Sequence, residues 1–169
     1  MKPPSVLLNK ILDWLNEERF EVEDLTTDKT DFHLVLVNPY SLGIPIQIGK
    51  PKEAPYIQIA VRTTFPTEIK EGLKNLGEKE SLKFVSWLQR ELLKFEVDHT
   101  VLPNKKSPEE IEIKTNVYVD DMTRSIFMSM IQKIKFAVLF MLWSFMQKLV
   151  PDDENIGQRF GDASSPMYG

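Results

Sequence analysis

The stretch from Asp121 to Val150, DMTRSIFMSMIQKIKFAVLFMLWSFMQKLV, constrains the fold more than any other part of the chain. It reads as one helix, roughly 40 Å long at about 1.5 Å per residue. Phe127, Ile131, Ile134, Val138, Met141, Phe145 and Leu149 recur at alternating spacings of four and three, the signature of a face pressed onto a core. The opposite face changes character partway along. Its first half reads Ser125, Ser129, Gln132, and its second half reads Phe136, Leu139, Trp143, Met146. A helix apolar on both sides needs two covers. One is expected to be the sheet of its own domain; the other is another helix of the chain or another molecule.

The rest of the chain supplies material for the first cover. Ser5 follows Pro3 and Pro4 as an N-cap for the helix VLLNKILDWLNEERF, in which Leu7, Leu8, Ile11, Leu12 and Leu15 share a face. Residues 20–29 read as a short link. Three strands are expected next, at Asp31–Val37, Ile44–Ile48 and Tyr56–Arg62, with Gly49, Lys50 and Pro51 as a turn; they form a meander. Pro66 opens a helix that Gly77 ends, and a second runs from Glu80 to Lys94. Residues 95–101 and 111–119 alternate at period two and are read as a hairpin around the loop from Pro103 to Pro108. Asp120 and Asp121 are placed to cap the long helix, with charge suited to the positive end of its dipole.

Composition narrows the class. A chain of 169 residues with 42% hydrophobic and 27% charged residues has the make-up of a soluble globular domain. A net charge of -4 gives no general attraction to nucleic acid or anionic lipid, and the densest basic spot is Lys105-Lys106 in a loop. The absence of cysteine excludes a disulfide framework, a thiolate metal site and a cysteine nucleophile. The best membrane window, residues 136–146, is about half the ~20 residues a span needs. A cytoplasmic chain without a membrane span is therefore expected.

No catalytic pattern stands out. His33 and His99 are the only histidines, and neither has further ligands at metal spacing. His99 is expected to share a strand face with Phe95, Val97 and Val101, as an ordinary hydrogen-bonded core or rim residue. Asp98 beside it points to the other face, so the two do not form an acid-base pair. Gly43 and Gly49 are too isolated for a phosphate loop. Tyr56, Tyr118 and Arg62 on outward strand faces suit cross-strand pairs better than a nucleic-acid platform.

The order helix, three strands, helical segment, two strands, long helix resembles the type III secretion chaperone-like fold, over about residues 5–150, as found in small archaeal or bacterial families of unknown function. That resemblance implies a dimerising α+β domain that holds other proteins without catalysis, and no residue role carries over from it. The expectation is an α+β domain over residues 5–150, with an antiparallel sheet of about five strands on helices and a polar tail at 151–169. Its expected function is a non-enzymatic, protein-binding or chaperone-like module. It needs no cofactor, has no nucleic-acid partner, and forms a homodimer through Phe136, Leu139, Trp143 and Met146. The alternative is a small-ligand-binding protein or enzyme with a site between sheet and helices, near His99 and Tyr118. Burial of the second stripe under another helix of the chain is equally open.

Overall fold

In the computed structural model, residues 6–41, 43–106 and 108–149 are described; the cap expected at Ser5 and the tail at 151–169 lie outside the described residues. The chain runs through α1 (Val6–Glu17), β1 (Val22–Asp24), β2 (Thr30–Leu36), β3 (Ile46–Pro51), β4 (Tyr56–Thr64), α2 (Thr67–Leu76), α3 (Glu78–Leu92), β5 (Asp98–Pro103), β6 (Pro108–Tyr118) and α4 (Arg124–Leu149). Short 3₁₀ turns follow β2 and α3, at Pro39–Ser41 and Leu93–Phe95. This is the expected α+β class, with six strands instead of five.

The strands form one sheet in the order β1-β2-β3-β4-β6-β5. Every neighbouring pair is antiparallel. The meander and the hairpin are both present, and they join through β4 and β6, whose register pairs Tyr56 with Tyr118 and Thr64 with Glu110. The hairpin thus adds its second strand to the meander, and β5 becomes the edge.

Four sequence boundaries need correction. The link at 20–29 contains β1, whose Val22 pairs with Leu36. Three residues are too few to show a period, and pairing with β2 decides their conformation. Gly49, Lys50 and Pro51 continue β3 rather than turning it; the turn follows, where the Ala54 N–H donates to the Pro51 carbonyl at 3.2 Å. Phe95 lies in a 3₁₀ turn that ends at Glu96 in left-handed backbone (φ 56°), so β5 starts only at Asp98. Finally, Asp120 and Asp121 do not cap α4. The helix starts three residues later, and the Thr123 hydroxyl accepts the Ile126 N–H at 3.2 Å.

Strand alternation sorts the sheet into two faces. Ile57, Ile59 and Val61 of β4 and Ile111, Ile113 and Val117 of β6 are buried toward the helices. Both strands read as period-two patterns because only this face meets the core. Residues on the opposite face, Gln58, Arg62, Lys114, Asn116 and Tyr118, are half-buried or exposed, and no described helix covers them. The Gln58 amide donates to Asn116 across the strands at 3.5 Å.

The expected stripe of α4 enters the core: Phe127, Ile131, Ile134, Val138, Met141 and Phe145 are buried, joined by Ala137 and Ser144. Phe145 packs edge-on against Phe65 at 4.8 Å and Phe84 at 5.5 Å. Trp14 of α1 meets Phe127 at 5.8 Å. Each such side chain contributes roughly 1.5–3 kcal/mol of transfer free energy, so α4 ties the other helices to the sheet. By length and composition α4 could also cross a membrane, and among the described helices no other could.

Candidate functional site

The second half of α4 has two fates on its two sides. Between Lys135 and Gln147 the sequence holds no charged residue. Of the four residues expected to form an interface, Phe136 and Trp143 are 52% and 54% exposed. Leu139 and Met146 are half-buried. They lie on a face that no other described helix covers. Two large aromatic rings left in water forgo about the transfer free energy that their buried counterparts gain.

Neighbouring elements widen this face. The half-buried Phe140 lies between Trp87 of α3 at 6.1 Å and Phe95 at 5.5 Å. Trp87 itself stacks on Phe84 at 5.7 Å and remains 37% exposed. A groove of about 360 Å³ runs between α3 and α4, with Phe84, Trp87, Ser144 and Gln147 among its walls. The buried Ser144 hydroxyl donates to the Phe140 carbonyl at 2.7 Å, so it needs no partner from outside. Trp87 was not legible as part of this surface. It falls off the apolar spacing of its own helix, and that departure was the available signal.

Charges beside the face are engaged within the chain. Lys133 pairs with Glu96, and that hydrogen bond, together with the lysine charge, holds the Glu96 carboxyl below its ordinary range. The Lys135 ammonium sits 4.0 Å from the centre of the Tyr40 ring, a cation-π contact. Burial raises the Tyr40 phenol, as does the Glu18 charge, against the Gln132 amide that donates to its oxygen at 3.1 Å. Lys135 also lies 5.8 Å from the centre of the Phe136 ring, and Glu80, Lys83 and Lys148 line the groove between α3 and α4, so charge borders the apolar face.

The other candidates do not assemble. His99 lies opposite Ile113, whereas Tyr118 lies opposite Tyr56. Positions 113 and 118 are an odd number apart, so the two side chains lie on opposite faces, about 16 Å apart along the strand. Tyr56 and Tyr118 form an edge-on pair at 6.2 Å, and Arg62 pairs with Glu110. Asp98 is exposed on the face away from His99. Burial lowers the His99 pKa, opposed by the Val97 carbonyl and Asp98, and its buried Nδ1 has no well-directed hydrogen bond. His33 lies on the open face beside Gly49, its N–H donating to the Thr26 hydroxyl at 2.9 Å. No group of three His, Asp or Glu side chains able to hold a metal ion occurs among the described residues.

Comparison with known proteins places this geometry. A crystal structure of an uncharacterized protein from Methanothermobacter thermautotrophicus shares the fold, with a TM-score of 0.78 at 21% identity, over 85% of this chain and 99% of that one. No curated protein matches the chain. A family model matches residues 7–145, which takes in every described element from α1 to most of α4, and the chain belongs to that family, described as "Uncharacterized conserved protein (DUF2299)".

Proposed function

We propose that the chain is a non-enzymatic protein-binding module that pairs with a second copy of itself through the second half of α4. The exposure of Phe136 and Trp143 on a stretch of α4, residues 136–146, that contains no charged residue carries this reading. Their spacing favours a second copy as the occupant. A two-fold contact requires that a residue meeting a second one on the partner be met by it in return. Phe136 and Trp143 are seven residues, or two turns, apart. An antiparallel second α4 centred between Leu139 and Phe140 sets Phe136 against the partner's Trp143, and Trp143 against the partner's Phe136. Gln132 and Gln147 then face each other at the two ends, polar against polar.

A stable pair buries roughly 800 Å² on each side. The half-helix reaches that scale only with its flank, and exposed Trp87 and Leu93 extend the apolar surface next to it. The element order, which resembles the type III secretion chaperone-like fold, supports the same reading of a paired domain that holds other proteins.

Light scattering across a dilution series tests the proposal. The full chain is expected to have the mass of a dimer, and Trp143→Glu or Phe136→Glu to halve that mass while the far-ultraviolet circular dichroism stays unchanged. A monomer at every concentration overturns the dimer. A Trp143→Glu variant that unfolds shows the ring to be core.

A further inference from the structure

The open face of the sheet carries a depression of about 170 Å³ across β2, β3 and β4, away from the α4 face. Gly49 of β3 and Ala60 of β4 line it, with His33, Gln47 and Gln58 around them. The register puts His33 and Gln58 on either side of Gly49, and Gln47 opposite Ala60. At about 4.8 Å per strand spacing, His33 and Gln58 stand roughly 10 Å apart across the glycine. No lysine, arginine or carboxylate lines the depression among the described residues. Lys114, opposite Ala60 on β6, is paired with Glu112 at 3.0 Å.

Gly49 opens this depression by leaving out a side chain, and its own surroundings do not require a glycine. It lies inside β3, the third strand of six, where glycine weakens a sheet. Its backbone is outside the left-handed region, and a Cβ built on it would meet His33 Cδ2 and the Phe32 carbonyl oxygen at 3.9 Å, an ordinary contact. An alanine would therefore fit. A strand glycine that neither backbone nor packing requires marks a place where another molecule comes close to the sheet. Such a molecule meets an apolar floor at Gly49 and Ala60 and a rim of hydrogen-bonding groups. The Gln58 amide donates to Asn116 at 3.5 Å and keeps its carbonyl oxygen free, and the Gln47 carboxamide and His33 ring have no hydrogen-bond partner among the described residues.

A carboxamide sets a donor beside an acceptor, which matches the edge of a nucleobase, and a flat apolar floor matches its face. A gap of roughly 10 Å admits one ring with a hydrogen bond at either side. We infer that this depression binds a neutral nucleobase, the chemistry shared by a nucleoside and by one base of a single strand. Gln47 and Gln58 read its edge, His33 adds a further hydrogen bond, and Gly49 lets the ring lie against the strand. The net charge of -4 favours the nucleoside over the strand. Binding neither uses nor blocks the α4 face.

The test is an NMR titration of the full chain with adenosine and with uridine, against ribose. Saturable shifts at His33, Gln47, Gly49 and Gln58 are expected from at least one nucleoside and none from ribose, with a Kd on the order of 1 mM for a ligand of so few atoms. Gly49→Ala is expected to keep or raise the melting temperature and to weaken binding several-fold, because its methyl occupies the floor. Gln47→Leu is expected to keep the melting temperature and to bind about tenfold more weakly. A parallel titration with a short single-stranded oligonucleotide of the base that binds separates the sources: tighter binding that falls with added salt assigns the site to a strand, and equal or weaker binding to the nucleoside. Failure of both nucleosides to saturate, shifts that ribose reproduces, a Gly49→Ala variant that melts lower, or variants that bind as the wild type does, overturn the site.

Discussion

At the scale of single residues, two polar groups have effects that their sequence positions do not announce. His99 titrates below its ordinary value of 6.5 because burial disfavours the imidazolium. Between the lowered folded value and 6.5 the unfolded chain therefore binds more protons than the native one, so stability present above about pH 6.5 falls as the solution is acidified. The carboxyls of Glu80, Glu96 and Glu110 are held below their ordinary value of 4.5 by lysine or arginine partners, so their losses come at lower pH. His99→Gln is thus expected to flatten the fall in melting temperature between about pH 7 and pH 5.5; an unchanged slope would clear His99 of the effect. The second group is the Thr123 hydroxyl. It caps α4 in place of the two aspartates, because the chain spends residues 119–123 turning out of the sheet before the helix can start. Thr123→Ala is expected to cost about 1 kcal/mol in chemical denaturation, whereas Asp121→Ala should change little.

Elements show where pattern suffices and where it does not. The stripe from Phe127 to Phe145 was legible because a helix against one sheet repeats its contacts every three or four residues. β1 was not, because its three residues take their conformation from hydrogen bonding to β2. The contact of α2 with α4 is also invisible to pattern. A Cβ on Gly72 would stand 2.9 Å from the Leu149 Cβ, so the helices meet through a missing side chain. In an exposed helix Gly→Ala gains up to about 1 kcal/mol. Here the overlap is with the root of a side chain rather than its mobile end, and overpacking costs about 1–3 kcal/mol. Gly72→Ala is therefore expected to lower stability by about 1 kcal/mol net in chemical denaturation; a gain would mean that the end of α4 yields freely.

The whole molecule is a two-layer structure covered on one side. Helices bury one face of the six-stranded sheet, and the other face manages with Gln, Asn, Lys, Glu and Tyr side chains that water can solvate. The exposed aromatic rings of α4 lie on the far side of the helix layer. A second copy would sit there and leave the sheet open, so the light-scattering and Trp143→Glu measurements also bear on the architecture of the assembly. The amino-acid sequence by itself determined the secondary elements with long periods, the α+β class and the two-sided apolarity of α4. Each of these is a local repeat of side-chain chemistry along one element. Only the tertiary structure decided that β6 joins the meander and leaves β5 at the edge, that His99 and Tyr118 occupy opposite faces, and that Phe136 and Trp143 remain in water while Leu139 and Met146 are half-covered. Those outcomes depend on which distant elements stack against one another, and the periodicity of one segment carries no record of its neighbours.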